Sequence, residues 1–167
     1  MTTGVMFFAY NNSAVDYIKQ AIYNAKLVKQ HLGLSVTIVT DSVNYLKTTY
    51  PFYEKYVDNI IYQAPDKGQF HQKSFHAGEH YNVKADWKNT NRGSAYDLSP
   101  YDTTIRLDTD YLINNNNFLK VIDQPGDLYI YQNSADISYL RTIKGFDTVS
   151  DETIDFYWAT AVVFKKT

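Results

Sequence analysis

The strongest constraint on how this chain folds lies in its first forty residues. Val5-Met6-Phe7-Phe8-Ala9 is an unbroken apolar run, and Leu34-Ser35-Val36-Thr37-Ile38-Val39 is a second strand-like stretch. A strand without polar alternation is covered on both faces, as in a parallel sheet. Between the two, Ala14, Ile18, Ala21, Ala25, Val28 and Leu32 recur at helical spacing. Ser13 reads as the N-cap of that helix, with Asp16 favouring its N-terminal end, and Gly33 stands where a helix end needs positive φ. A helical connection of this length joins parallel strands by a right-handed crossover.

The remainder continues the alternation. The pattern predicts a short helical or irregular piece over 42–56 and a strand over 59–62. A polar excursion over 64–91 follows, with at most one short helix. A helix over 92–98 and a strand over 103–107 come next. Asn114 to Asn117 marks a turn, 118–122 a short helix, and 128–131 and 161–164 two last strands. No internal repeat is visible. With 167 residues, 44% of them hydrophobic and 20% charged, the chain is long enough for one core and too apolar for disorder. We therefore expect a single α/β domain over 1–167, layered around a mostly parallel sheet.

Charge and cysteine content exclude several functions. The formal net charge is -2 and cysteine is absent. No basic excess exists to grip a nucleic-acid backbone, so no nucleic-acid partner is expected. Disulfide scaffolds, thiol catalysis and Cys-ligated zinc are excluded together. No stretch approaches ~18 consecutive apolar residues, so no membrane span is expected and the chain reads as cytoplasmic. Tyrosine is abundant, at 16 residues. Lys far outnumbers Arg, and Asn and Ile are common. These residues share AT-rich codons, as in a phage or low-GC bacterial genome.

Chemistry concentrates at Ile105-Arg106-Leu107-Asp108-Thr109-Asp110-Tyr111-Leu112-Ile113. Two carboxylates stand two residues apart where a hydrophobic strand ends, and open α/β sheets bind ligands beyond the carboxyl ends of their strands. Burying two carboxylates without a cation is expensive. Hard oxygen ligands of this kind suit Mn2+ or Mg2+, above all when phosphates complete the coordination sphere. The bland alternative is a pair of Asp side chains capping a turn. A calcium EF-hand loop fails, because Leu112, Ile113 and Leu119 occupy positions that need an oxygen ligand, Gly and Glu. A haloacid-dehalogenase-type phosphatase also carries D-x-D after a buried strand. There the motif usually opens the domain, and Leu112 departs from that pattern.

The stretch from Ser99 to Asp110 resembles the D-x-D region of nucleotide-sugar-dependent glycosyltransferases of the GT-A fold, above all the glycogenin-like branch and its bacterial and viral relatives. Further pieces match in order. Ala9-Tyr10-Asn11-Asn12 follows the first strand, where the family's nucleoside pocket begins, and Tyr17-Ile18-Lys19-Gln20-Ala21 resembles the helix after it. Val36 to Asp41 resembles the second strand with its terminal acid. Arg92 stands where that branch carries a basic residue contacting the nucleotide. Trp158 to Phe164 resembles a segment that reads roughly N-x-G-V-x-x-F in relatives, with Ala159 and Ala161 replacing its Asn and Gly.

The resemblance implies a UDP or UDP-sugar donor with Mn2+ or Mg2+. Asp108 and Asp110 are the implied metal ligands, with Asp108 also toward the ribose and Thr109 near the ribose or metal. Ala9, Tyr10 and Asn11 line the implied base pocket, and Asp41 bonds base or ribose. Arg92 and Lys73 neutralise the diphosphate. Plain core packing is the alternative for Tyr10, a helix cap for Asp41, and a structural role for Arg106. The resemblance covers the family's nucleotide-binding half. The later segment that builds its acceptor site, and supplies a histidine ligand, has no counterpart after Lys165, so the acceptor subdomain is expected to be minimal or absent.

Transfer builds positive charge on the sugar ring, which a nearby carboxylate stabilises. Asp136 and Asp155 are the catalytic candidates. For the run Asp151, Glu152 and Asp155 the alternative is a helix start capped by Ser150. His76 and His80 stand four apart and would share a helical face, with His71 nearby, but ordinary surface histidines are expected. The expected activity is glycosyl transfer to an unidentified acceptor, or slow donor hydrolysis. A non-catalytic nucleotide-sugar-binding module or inactive fragment, and the phosphatase, are the alternatives. A homodimer is compatible with this reading.

Overall fold

The computed structural model describes residues 1–13, 15–64, 71–76, 82–87, 90–132 and 157–166. The apolar run near the N-terminus forms β1 (Thr3–Phe8), and the second forms β2 (Ser35–Thr40). They pair in parallel, with Val5 opposite Val36 and Phe7 opposite Ile38. β3 (Asn59–Tyr62) adds in parallel to β2, and β6 (Thr103–Leu107) adds in parallel to the other side of β1. β8 (Tyr157–Lys165) runs antiparallel to β6, and β7 (Leu128–Gln132) antiparallel to β8. The six-stranded order is β3-β2-β1-β6-β8-β7. The fold is α/β with a mostly parallel central sheet.

β1 shows why that run had to be continuously apolar. Val5, Phe7 and Ala9 enter one core cluster, whereas Met6, Phe8 and Tyr10 enter the other. The larger cluster takes Ile18, Ala21, Ala25 and Val28 from α1 (Tyr17–His31), Leu46 from α2 (Val43–Thr49) and Phe118 from α4 (Asn117–Ile122). The smaller takes Ala95 from α3 (Ala95–Leu98). Helices thus cover both faces, giving three layers.

Two local expectations need correction. α1 is capped by Asp16, not Ser13: the Asp16 carboxylate accepts from Lys19 N–H, and the helix begins at Tyr17. Asn12 Oδ1 accepts from Val15 N–H and Asn11 Oδ1 from Ile18 N–H. The first of these bonds occupies the Val15 N–H, a donor that a cap at Ser13 would have served. Within the stretch after residue 64, the described residues 71–76 and 82–87 form an antiparallel pair, β4 (His71–His76) and β5 (Asn82–Trp87), not helix. No apolar helical stripe exists there to bury, and the ladder satisfies the backbone instead. His76 therefore lies on a strand, opposite Asn82, and His80 lies outside the described residues. At the far end of α1, Gly33 has φ of 65°, and its N–H reaches back to the Val28 carbonyl.

Candidate functional site

Parallel pairing brings the carboxyl ends of β1, β2, β3 and β6 to one edge of the sheet. The ladder continues past the strands there: Ala9 N–H donates to Val39 O, and Gln63 N–H to Thr40 O. β6 is buried along its whole length, so its end is held by strands on both sides. Asp108 N–H donates to Thr160 O at 2.8 Å, and Tyr111 N–H to Asp108 O at 3.1 Å. The D-x-D segment is thus a tight turn leaving the sheet and pinned to β8.

Alternation along β6 sorts its side chains. Ile105 and Leu107 join the core beneath α1, and buried Thr109 follows them. Thr104 and Arg106 take the opposite face, where Thr104 shares a 2.5 Å hydroxyl contact with Ser99. Asp108 belongs to this second set. Its Oδ1 accepts from Arg92 at 2.5 Å, and the Arg106 guanidinium stands 3.7 Å from the same oxygen. Arg106 also donates to the Ala159 carbonyl, tying the end of β8 to this cluster. Arg92 comes from a 3-10 turn, Thr90–Ser94, directly before α3.

Burial pushes the Asp108 carboxyl up from its ordinary value. Arg92, and more weakly Arg106, pull it back only in part, and Asp110 adds to the rise. Burial and the charge of Arg92 lower Arg106, while Asp108 supports it. The carboxylate therefore still gains from further positive charge. Both guanidiniums address Oδ1, so Oδ2 stands outside these two pairs, and Asp110 is exposed. Asp108 and Asp110 fit a hard cation by donor chemistry. Among the described residues no third His, Cys, Asp or Glu joins them, so other coordination positions would fall to water or ligand oxygens.

The ends of β1 and β2 lie alongside. Tyr10 is 5% exposed. Its hydroxyl donates to Gln63 Oε1 at 2.8 Å and accepts from Asn91 at 3.3 Å. Burial pushes that hydroxyl up to about 12, opposed by the Asn91 bond and reinforced by the Asp41 charge. Gln63 in turn donates to Ser94 Oγ, and Ser94 to the Asn91 carbonyl. The network binds the turn carrying Arg92 to the ends of β1 and β3. Asn11 donates to Asp16 at 2.9 Å while accepting from Ile18 N–H. Asp41 accepts from Ser42 Oγ at 2.7 Å, and Ser42, not Asp41, is the cap position of α2.

The structure therefore gathers Ala9, Tyr10, Asn11, Asp41, Arg92, Asp108, Thr109 and Asp110 along one sheet edge. The Thr109 side chain faces α1 rather than its two acidic neighbours, donating to Gln20 Oε1 at 3.0 Å. Lys73 lies on β4, opposite Ala85, in the separate two-stranded sheet. Asp136 and Asp155 lie outside the described residues. Asn24, Gln63, Asn91 and Ser94 escaped the sequence reading, and Gln20 entered it only as part of the Tyr17–Ala21 segment. Asn24 alone left a signal there, as an amide within the apolar stripe of α1.

No family model matches the sequence, and no curated protein shows significant similarity. Solved structures do match in fold. A galactosyltransferase, LgtC, solved with donor and acceptor sugar analogues, is 16% identical with a TM-score of 0.62. The match covers 97% of this chain and 57% of that one. Mouse xyloside xylosyltransferase 1 is 13% identical at a TM-score of 0.57, over 99% of this chain and 67% of that one. The mannosyltransferase Ktr4p of S. cerevisiae is 10% identical at 0.52, over 98% and 56%. The chain has the GT-A glycosyltransferase fold. It spans little more than half the length of the galactosyltransferase it matches.

Proposed function

We propose that this chain binds a nucleotide-sugar donor, UDP-sugar, with Mn2+ or Mg2+ at Asp108 and Asp110, and transfers the sugar. The observation that carries this reading is the carboxylate pair at the end of β6, with Arg92 2.5 Å from Asp108, in a fold shared with glycosyltransferases. When bound, the cation offsets negative charge on the diphosphate leaving group as the sugar–phosphate bond breaks. Arg92 and Arg106 add fixed positive charge at the same place, held by Asp108 and the Ala159 carbonyl, and fixed dipoles or charges need no reorganisation during reaction. Ala9, Tyr10, Asn11 and Asp41 lie where the uridine would rest. Asp136 and Asp155 remain the proposed carboxylates for the sugar ring. The single domain and the cytoplasmic location belong to the same proposal, with a homodimer as its compatible assembly.

Calorimetry with UDP, with and without Mn2+, tests the site on wild type and Asp110→Ala. Metal-dependent binding lost in the variant is expected. Metal-independent binding, or none, overturns the assignment. UDP release from several sugar nucleotides separates a transferase from a binding module. Phosphate release from simple phosphomonoesters would favour the phosphatase instead.

A further inference from the structure

Thr109 stands between the two acidic residues, yet it is 3% exposed, and its hydroxyl and carbonyl are both held by one helix. Its hydroxyl donates to Gln20 Oε1 at 3.0 Å, and its carbonyl accepts from Asn24 Nδ2 at 2.5 Å. Gln20 and Asn24 are i and i+4 on α1, one above the other on the same face. Asn24 is 1% exposed, and its Oδ1 has no partner among the described residues. Flipping the amide offers no relief, because it would set Oδ1 against the Thr109 carbonyl, acceptor against acceptor. Its neighbours on that face, Ala21, Ala25 and Val28, are apolar and fully buried. A helix selected for packing alone would carry another apolar residue here, since an unpaired buried polar atom costs about 1–3 kcal/mol. The same helix is fixed at its start by Asn11, which accepts from Ile18 N–H, and by Asp16, which accepts from Tyr45 and Tyr50 at 2.8 and 2.5 Å.

We propose that Gln20 and Asn24 are positioning residues that clamp the Thr109 side chain and carbonyl, and so set the directions in which Asp108 and Asp110 meet the cation and diphosphate. The inference rests on the proposed function for what the turn binds, but not for the clamp itself. Holding the middle residue at two points fixes the backbone from which both carboxylates project. α1 also touches Asn11, so one rigid element registers the diphosphate end of the site against the nucleoside end.

The test compares Asn24→Leu and Gln20→Met with Val28→Ala, which loosens the packing of the same helix without touching Thr109. Two quantities are measured well below each variant's Tm. One is the affinity for Mn2+ with UDP, by calorimetry. The other is hydrogen exchange at the Asp108 and Tyr111 amides without ligand. Asn24→Leu is expected to weaken affinity about tenfold or more, the usual effect of removing a partner that orients a metal ligand. It should also speed exchange at both amides, with Gln20→Met showing the same pattern more weakly. Val28→Ala should lower Tm while retaining wild-type affinity and exchange. Exchange in Asn24→Leu and Gln20→Met no faster than in Val28→Ala overturns the clamp. If wild type does not bind UDP with Mn2+, the proposed function fails, and the exchange comparison still decides the clamp.

Discussion

Asp16 ties together three elements with one carboxylate. Burial opposes its ionisation, but hydrogen bonds from Tyr50, the Lys19 N–H, Tyr45 and Asn11 outweigh it and hold the group below its ordinary 3.8. A depressed carboxyl contributes stability above its unfolded value and loses it as pH falls through the lower folded value. Acid unfolding of the wild type should therefore include an Asp16 contribution confined to the region below about 3.8. Asp16→Asn should flatten that limb, and Asp16→Ala should cost about 1 kcal/mol at neutral pH, the usual value of an N-cap. Denaturant titrations across pH check both. Tyr10→Phe removes the hydroxyl between Gln63 and Asn91; Asn91 keeps its bond to the Ala64 carbonyl and Gln63 its bond to Ser94, so the loss should be about 1 kcal/mol. An unchanged midpoint would show that water replaces the hydroxyl. Neither role was legible from residue identity. A tyrosine in a tyrosine-rich chain carries no mark of the partner its hydroxyl will find, and Gln63 and Asn91 are far from Tyr10 in sequence.

Among the elements, β1 is the one the rest depend on. It lies between β2 and β6 and contributes to both cores. At its start, a methyl group on Gly4 would run into the ring of Tyr101, whose hydroxyl is 2.8 Å from Thr37 Oγ1. Gly4→Ala should cost about 1–3 kcal/mol by overpacking. Combining it with Tyr101→Leu should cost less than the two changes added, because the clash disappears with the ring. Equal, additive losses would mean that the ring moves aside freely. Element existence was largely readable from period. The apolar runs became β1 and β2, the stripe from Ile18 to Val28 became α1, and the β-branched stretch became β6. The failures share a cause. Ser13 and Asp16 are both acceptable caps, and the tertiary partners Tyr45 and Tyr50 reinforce the second. Residues 71–76 and 82–87 lack a periodic apolar pattern, so only their pairing across the chain defines them as strands.

For the molecule as a whole, ligand binding and stability are linked. If the native state alone binds UDP with Mn2+, saturation at 100 times Kd adds about 2.7 kcal/mol and raises Tm by several degrees. Chelation of the metal should reverse the rise, and UDP alone should give little of it. A thermal-melt series measures all three, and an equal rise with UDP and chelator would contradict the cation's part. Among the described residues no helix is long and apolar enough to cross a membrane. The amino-acid sequence by itself determined that this chain would form strand–helix–strand layers, and that two acids would stand at the end of a buried strand. Those are consequences of periodicity and of residue type, which act locally. Only the tertiary structure decided that Arg92 and Arg106 converge on Asp108. It likewise decided that Thr109 turns to Gln20 and Asn24, and that Tyr10 meets Gln63 and Asn91. Such contacts join residues distant along the chain. Their energy appears only when parallel pairing has brought the strand ends to one edge, which no local pattern encodes.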